Sequence, residues 1–138
     1  MTHPTIQVAR DFARALDEED YAKAFALLSP DCTYVIGDSK FTGPQPIVDE
    51  YRRNGDGATE RFDSIAYESD VEADGQRSAI ITFIDDIRHD GHRLRHTCEQ
   101  RIDLGEDGLI RRIEHRDLPG EPEALQAFYR KIGLAGGE

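Results

Sequence analysis

The segment from Arg77 to Leu118 contains an aspartate and a histidine whose spacing could bring them together for proton transfer. It includes the dipeptide Asp90-Gly91, and an Asp-Gly pair between extended segments is a strong signal for a two-residue β-hairpin turn. Pairing outward from that turn places Asp85 opposite His96. A carboxylate raises the pKa of a neighbouring imidazole and burial lowers it, so their balance can produce a general base near neutral pH.

Strand alternation decides which other side chains share a surface with this pair. Because successive residues of a strand point to opposite faces, a hairpin closed at this turn has one mostly apolar face. Asp85 and His96 lie on that face, which indicates a pocket for a small molecule. The same face predicts three ligand-binding residues, which are Phe83, Cys98 and Gln100.

A second hairpin, turning at residues 105–108, could extend this site. Closing it in the simplest register places Asp117 opposite His96 and brings His115 to the same face. His96 would then lie between two carboxylates. The sequence therefore predicts His96 as the catalytic base, with Asp85 and Asp117 as the groups that orient it.

Two observations leave that register open. A one-residue bulge would turn His115 and Asp117 to the outer face of the sheet. In addition, the simple register opposes two pairs of like charges, which is unfavourable. These pairs are Arg101 with Arg112 and Glu99 with Glu114.

Each candidate side chain also has a purely structural interpretation. Asp85 and His96 could form an ion pair without catalytic duty, and His115 could be a hydrogen-bonded interior histidine. We predict Tyr34 and Tyr51 as ligand-binding hydroxyl donors, together with His115. The two tyrosines could instead be core aromatics, whose buried hydroxyl groups would still need partners.

The composition is that of one globular domain covering residues 1–138. A chain of 138 residues can bury its own core, and no linker or repeat divides it. It has 28 acidic and 17 basic residues, giving a net charge of -11. Such a surface repels phosphate backbones and anionic lipids, so we expect neither nucleic acid nor a membrane as a partner.

Targeting and cofactor motifs are not found in the sequence. No apolar run approaches the roughly 20 residues that span a bilayer, and Met1 to Arg10 lacks the features of a signal peptide, so a cytoplasmic location is expected. Cys32 and Cys98 do not have metal-ligand spacing. With no nucleotide-binding motif either, we expect no cofactor and no metal.

Periodicity and turn residues predict helices at both ends of the chain and a sheet between them. Helices followed by consecutive antiparallel strands indicate an α+β fold. A long, strongly bent antiparallel sheet with the N-terminal helices on its concave face makes a cone with an apolar interior. The predicted helices cover residues 5–16, 21–28, 47–53 and 121–132, with a glycine-rich stop at 54–57, and the predicted strands cover 32–36, 40–42, 60–73, 77–89, 92–104 and 109–117.

Five segments in this order have a familiar pattern: Phe12–Asp17 with Asp20, Ala24–Tyr34, Gly43 with Ile47, Asp107–Ile110 and Asp117–Glu121. Over nearly the whole chain this pattern resembles the nuclear transport factor 2-like superfamily, and within it the SnoaL-like group and the ketosteroid isomerases. The resemblance implies a cone-shaped, cystatin-like α+β fold. The superfamily includes isomerases, polyketide cyclases, dehydratases, epoxide hydrolases and non-catalytic binding domains, so the fold alone assigns no reaction.

The ketosteroid isomerases can be compared position by position. Their base on the first strand corresponds to Ile36, with Asp38 further along the same strand face as a weak substitute. Their oxyanion-binding tyrosine and protonated aspartate correspond to Phe12 and Gln100, whereas a tyrosine of the third helix is matched by Tyr51. The comparison therefore implies a similar pocket, with Phe12 among its ligand-binding residues, but not steroid isomerisation.

Two classes of function follow from these observations. The first is a cofactor-independent isomerase, cyclase or dehydratase that moves a proton next to a carbonyl group. The second is a non-catalytic domain that binds an apolar small molecule or only dimerises. The resemblance also implies a homodimer formed through the outer sheet face, where we place Ile80, Ile84 and Ile110.

Overall fold

The computed structural model describes residues 4–133, which form four helices and a strongly bent, unclosed sheet of six strands. This is the predicted α+β class. No helix in this range is long and apolar enough to cross a membrane. The elements are α1 (Pro4–Asp17), α2 (Tyr21–Ala26), β1 (Leu28–Ile36), β2 (Ser39–Thr42), α3 (Pro44–Arg61), β3 (Ser64–Ala73), β4 (Ser78–His89), β5 (His92–Leu104), β6 (Ile110–Asp117) and α4 (Glu121–Lys131).

The strands lie in the order β2-β1-β6-β5-β4-β3. All neighbours are antiparallel except β1 and β6, which run parallel because the chain crosses from one side of the sheet to the other. The sequence predicted only antiparallel pairs, since β1 has no turn signal that would identify a distant partner. α1 packs on β3 and β4, and α3 packs on β1.

The first hairpin has the predicted register. Asp90 and Gly91 have φ angles of 50° and 80°, the left-handed geometry that a two-residue turn of this kind requires. Asp85 pairs with His96 across β4 and β5. A loop of two residues leaves no freedom in register, and the prediction is therefore confirmed along the whole hairpin.

The second hairpin differs from the prediction by two residues. Leu104 pairs with Ile110 rather than Leu109, and a bulge next to Asp103 adds a second offset. Because two offsets of one residue restore the strand parity, His115 keeps its predicted face. The shift also replaces the opposed like charges by opposite ones, which are Glu99 with Arg116, Arg101 with Glu114 and Asp103 with Arg112.

The bulge overturns one expectation about the outer face. Ile110 and Ile113 are both fully buried although they are three residues apart, a spacing that regular alternation would place on opposite faces. Ile110 therefore belongs to the core and not to a dimerisation patch. Ile80 and Ile84 remain on the outer face, where both are half-buried.

α3 is longer than predicted and passes through the glycine-rich segment 54–57 without a break. Glycine in a helix costs about 1 kcal/mol, and in the extended part of α3 Ala58 packs against a buried cluster that includes Phe62 and Tyr129. The extension also displaces the predicted start of β3 from Glu60 to Ser64.

We expect Gly57→Ala to stabilise the protein by about 0.5–1 kcal/mol. Gly57 lies inside α3, and a methyl group built on it meets no atom within 4 Å. Urea denaturation measures the gain, and Gly55→Ala is the matched control. A methyl group at Gly55 would lie 3.1 Å from the Tyr21 hydroxyl oxygen, so that variant should gain less, and an equal gain in both would contradict the packing described.

The interior consists of two hydrophobic clusters. The larger one joins α1, α3 and the concave face of the sheet around Phe12, Tyr34 and Ile113. The smaller one joins the end of α3, the tip of the first hairpin and α4. A space remains between the two clusters, and the candidate site lies there. The smaller cluster is formed by Phe62, Ile87, Phe128 and Tyr129.

Candidate functional site

Three polar side chains lie next to one another across the concave face of the sheet. Asp85 pairs with Tyr67 of β3 on one side and with His96 of β5 on the other. We call these three residues the Asp85 row. Four residues further along β4, Ile81 pairs with Gln100, which pairs in turn with His115. Val71, Ile81, Gln100 and His115 form the Gln100 row.

A cavity of about 410 Å³, which we call the chamber, lies against both rows. Its size falls within the roughly 300–1,000 Å³ of small-molecule sites. Asp85 and His96 both line it, so they face open space and not packed core. The predicted residues that line it are Tyr34, Tyr51, Phe83, Asp85, His96, Cys98, Gln100 and His115.

A second cavity of about 370 Å³, the annex, adjoins the chamber and shares Asp85 and His96 with it. Its other walls come from α3, α4 and the smaller hydrophobic cluster, and they include Arg53 and Arg61. Asp85 and His96 therefore lie where the two cavities meet.

The Asp85 carboxylate accepts no side-chain hydrogen bond within residues 4–133, and it does not contact His96 as an orienting group would. Burial raises its pKa to about 6, and the negative charge of Asp17 adds to this effect. At pH 7 most of the carboxylate is ionised, in an apolar cavity and without a partner. Such a group is a stronger proton acceptor than an exposed aspartate.

The surroundings of His96 favour its neutral form. Burial lowers its pKa, although the negative charges of Glu121 and Asp117 partly oppose this effect. Its Nδ1 is buried without a hydrogen-bond partner among the described residues and lies 4.0 Å from Oε1 of Glu121. That glutamate oxygen instead accepts a hydrogen bond from the backbone N–H of Thr97 at 2.5 Å. The chain therefore positions His96 by packing and by charge.

Two predicted site residues do not line the chamber. Asp117 pairs with Cys98 and not with His96, because of the register shift. Its side chain is 60% exposed, and its Oδ1 lies 3.0 Å from Nε2 of His115. Phe12 is fully buried in the larger cluster, where its ring meets the ring of Tyr51 edge to face. Asp117 therefore contacts the site only through His115, and Phe12 supports it from behind.

A hydrogen-bonded network surrounds the Gln100 side chain. The Tyr51 hydroxyl donates to Oε1 of Gln100 at 2.5 Å, and Nε2 of Gln100 donates to the Tyr34 hydroxyl at 3.0 Å. The second hydrogen on Nε2 points to Nδ1 of His115 at 3.2 Å. His115 then carries its own proton on Nε2 and donates it to Asp117.

This network distinguishes the two tyrosines. The proton of Tyr51 is committed to Gln100, whereas Tyr34 accepts from Gln100 and keeps its own proton for another acceptor. Burial raises the pKa of both phenols, so both remain protonated. Their rings also stack, with centroids 5.1 Å apart. Tyr34 is therefore the hydroxyl that can donate to a ligand oxygen.

We expect Tyr51→Phe to destabilise the protein by about 1–3 kcal/mol, because it leaves the buried Gln100 oxygen without its donor. Tyr67→Phe is the matched control, since the Tyr67 hydroxyl is buried and has no partner in the part of the chain that the structure describes, so its removal should cost nothing or stabilise. Urea denaturation of both variants provides the comparison. Equal losses of stability would show that the network adds nothing beyond the two rings.

Sequence reasoning predicted Tyr34 of β1 and Tyr51 of α3 but missed several other residues that line the chamber from outside the two hairpins. Asp17 and Glu19 come from the end of α1 and the turn after it, and Tyr21 begins α2. Their positions depend on how the helices cross the sheet, which no sequence pattern gives. Tyr67 could have been found, because it has the apolar parity of β3 and the Asp74-Gly75 turn leads into β4.

Among residues 4–133, no group of three histidine, cysteine or carboxylate side chains lies close enough together to hold a metal ion. Cys98 faces the chamber, and burial raises its pKa to about 12. It therefore lines the chamber as a neutral thiol.

Comparisons with known proteins identify the fold of this chain. No family model matches the sequence, and no curated protein matches it. An LEH-like epoxide hydrolase from Mycobacterium tuberculosis superimposes with a TM-score of 0.66 at 17% identity, over 96% of this chain and 92% of that one. The protein has the nuclear transport factor 2-like fold.

Two further solved structures share the nuclear transport factor 2-like fold with this chain. A Xanthomonas campestris pv. campestris protein, provisionally assigned as a polyketide cyclase, matches with a TM-score of 0.68 at 12% identity, over 94% of this chain and 96% of that one. A Mycobacterium tuberculosis protein in complex with estradiol-17beta-hemisuccinate matches with a TM-score of 0.64 at 12% identity, over 87% and 98%. At these identities the likeness establishes the fold and leaves the activity to the residues of the site.

Proposed function

We propose that the protein binds a small apolar molecule with a carbonyl oxygen in the chamber and transfers a proton on it without a cofactor. Reactions of isomerase, cyclase or dehydratase type meet this description. The observation that supports it most directly is the Asp85 carboxylate, which lines a cavity of about 410 Å³ beside His96 and accepts no side-chain hydrogen bond within residues 4–133. A structural neighbour in complex with estradiol-17beta-hemisuccinate supports a multi-ring small molecule as the ligand.

Asp85 and His96 are the two proton-transfer groups of this proposal. His96 was expected to act as the base with Asp85 orienting it, but the two side chains share no hydrogen bond in the described structure. Since the pKa of Asp85 is about 6 and burial lowers the pKa of His96, both can accept a proton at pH 7. The unpartnered carboxylate is the stronger candidate for the abstraction, and the protonated Asp85 carboxyl then returns the proton to the ligand, with neutral His96 as the second group that can accept a proton.

Tyr34 supplies the third function, which is a hydrogen bond to the ligand oxygen as negative charge develops there. Asp85 and the Gln100 row are separated by four residues of β4, or about 13 Å of strand. Carboxylate and phenol side chains that converge from such positions would meet around one carbonyl group of the ligand, with the phenol at its oxygen and the carboxylate at the carbon next to it. Phe83 and Cys98 lie between the two rows and supply the apolar wall.

Proton exchange in a bound ketone tests this proposal without knowledge of the natural substrate. A panel of one- to three-ring ketones, beginning with 1-tetralone, is incubated with the protein in D₂O, and loss of the α-proton is followed by NMR. Faster exchange that saturates with ketone concentration supports the proposal. Binding without exchange would make the protein a non-catalytic ligand-binding domain. The absence of both binding and exchange for every ketone of the panel would refute the proposal.

We also propose that the chain forms a homodimer through its outer sheet face. Ile80 and Ile84 lie there among charged residues, and a partly apolar patch of this kind is typical of a contact surface. Sedimentation equilibrium of the wild type and of Ile84→Glu tests this. A monomeric wild type would refute the homodimer, and the two isoleucines would then be ordinary surface residues.

A further inference from the structure

The hydrogen-bonded network around Gln100 reaches from the chamber to the protein surface. At its inner end the Tyr34 and Tyr51 side chains line the chamber. At its outer end Nε2 of His115 lies 3.0 Å from Oδ1 of Asp117, whose side chain is 60% exposed. Asp117 does not line the chamber. The hydrogen bond that Asp117 makes can therefore affect the chamber only through His115.

The carboxylate at the outer end decides the direction of every hydrogen bond in the network. An ionised carboxylate only accepts, so His115 donates its Nε2 proton to Asp117, and a neutral imidazole then has only a lone pair on Nδ1. That nitrogen lies 3.2 Å from Nε2 of Gln100, so the amide presents its NH₂ group there. The amide oxygen accepts the Tyr51 proton, and the second amide hydrogen goes to the Tyr34 oxygen. The Tyr34 proton is the one that this direction leaves uncommitted.

The opposite direction would use the same side chains and release a different proton. With its proton on Nδ1, His115 would donate to the amide oxygen of Gln100, and the amide would turn over. The amide oxygen would then accept the Tyr34 proton, and the Tyr51 proton would be free instead. The lone pair of Nε2 would face the Asp117 carboxylate, which lies 3.0 Å away and has no proton to donate. A carboxylate at residue 117 therefore selects against this direction.

We infer that Asp117 and His115 are positioning residues, which set the direction of the network and so leave the Tyr34 proton free for the ligand oxygen. This inference rests on the proposed function, in which Tyr34 donates to that oxygen as negative charge develops on it. It gives a part in the reaction to a carboxylate outside the chamber. A network that only stabilised the fold could run in either direction, so the direction is the quantity to measure.

Nuclear magnetic resonance measures the direction without a ligand. The ¹⁵N chemical shifts of a histidine ring identify the nitrogen that carries the proton, and the ¹³Cζ shift of a tyrosine differs between a hydroxyl that donates and one that only accepts. Spectra at pH 7.5 compare the wild type with Asp117→Lys, whose ammonium group can only donate to Nε2 of His115. Asp117→Glu retains a carboxylate, and Tyr34→Phe assigns the Tyr34 signal. Glu106→Lys makes the same charge change on an exposed loop outside the chamber.

We expect the wild type, Asp117→Glu and Glu106→Lys to carry the His115 proton on Nε2. Asp117→Lys should move this proton to Nδ1 and shift the Tyr34 ¹³Cζ signal, because Tyr34 then donates to Gln100. A wild-type His115 with its proton on Nδ1, or with two protons, overturns the inference. An Asp117→Lys variant in which either signal stays at its wild-type position also overturns it.

The exchange of the ketone α-proton provides a second measurement. Tyr34→Phe should lower the rate at saturating ketone by about 10²–10³-fold, the usual cost of removing one such donor. Asp117→Lys should lower it by about tenfold and change KM little, because a hydrogen bond to the developing charge acts mainly in the transition state. Asp117→Glu should keep the wild-type rate. A wild-type rate in an Asp117→Lys variant whose network has reversed overturns the inference.

The charge of Asp117 needs its own control, since it also acts on His96. Asp117→Asn removes the charge and retains an oxygen that can accept from His115, so it should lose less rate than Asp117→Lys. Equal losses in these two variants would assign the effect to charge and overturn the inference. A wild type that exchanges no ketone proton refutes the proposed function, and the two NMR signals then still decide whether Asp117 sets the direction of the network.

Discussion

Replacing Asp85 by asparagine should slow proton exchange in a bound ketone by about 10²–10⁴-fold, the usual contribution of a general base. The variant keeps the shape of the side chain and removes its ability to accept a proton. The predicted loss appears in the rate at saturating ketone, because the amide still lines the same chamber. NMR measurement of α-proton exchange in D₂O, with wild type and variant at equal concentration, provides the comparison.

The same substitution should stabilise the protein at neutral pH. Because burial raises the folded-state pKa of Asp85 from 3.8 to about 6, the folded state loses stability as pH rises from about 4 through 6 and the carboxylate ionises. A shift of this size corresponds to about 3 kcal/mol. Asp85→Asn should therefore gain up to about that amount in urea denaturation at pH 7.5 and nothing below pH 4.

The neighbouring residue provides a control of opposite sign. Asp86 lies on the outer face and accepts two hydrogen bonds from Arg93, at 2.9 and 2.8 Å, which lower its pKa. Asp86→Asn should leave proton exchange unchanged and should lose stability at pH 7.5. If Asp85→Asn lowers both stability and exchange, the carboxylate is a structural group and the catalytic proposal fails.

Phe12→Ala should destabilise the protein by about 3–5 kcal/mol, the cost of removing a fully buried aromatic ring. The resemblance to ketosteroid isomerases placed this residue in the ligand pocket, whereas the structure places it in the larger hydrophobic cluster against Tyr51. A residue that lined the chamber would cost less to truncate, because part of its surface would already be exposed to solvent. Urea denaturation measures the difference.

Phe83→Ala is the matched comparison, since Phe83 is only partly buried and lines the chamber. We expect it to cost about 1–2 kcal/mol and to weaken ketone binding. Phe12→Leu, which retains most of the buried area, provides a folded variant if alanine at this position prevents folding. Equal losses of stability in the two alanine variants would indicate that Phe12 lines the chamber.

The sequence was sufficient for elements whose geometry is set locally. The turn at Asp90-Gly91 admits one register, so the Asp85–His96 pair could be derived without a structure. The turn at residues 105–108 admits several, and only the opposed like charges indicated that the simple register was wrong. α3 was cut short because helix propensity was weighed without tertiary packing, such as that of Ala58 against the smaller hydrophobic cluster.

The chamber itself was predictable from one side only. Alternation on the two hairpins identified Phe83, Cys98 and Gln100, since these share a strand face with Asp85. The part of the wall that Asp17 and Glu19 form was not predictable, because Asp17 comes within reach only where α1 crosses the sheet. A strand pattern describes one wall of a cavity, and the opposite wall is set by the docking of helices.

The paired offsets of the second hairpin constrain how this chain can change in length. A deletion of one residue from the loop at 105–109, or loss of the bulge beside Asp103, would move the side chains of residues 112–117 to the opposite face of the sheet. His115 would turn to the outer face, and arginines would point into the interior. Insertions and deletions in this segment are therefore tolerated only in compensating pairs. The length of this surface loop decides which side chains of β6 face the chamber.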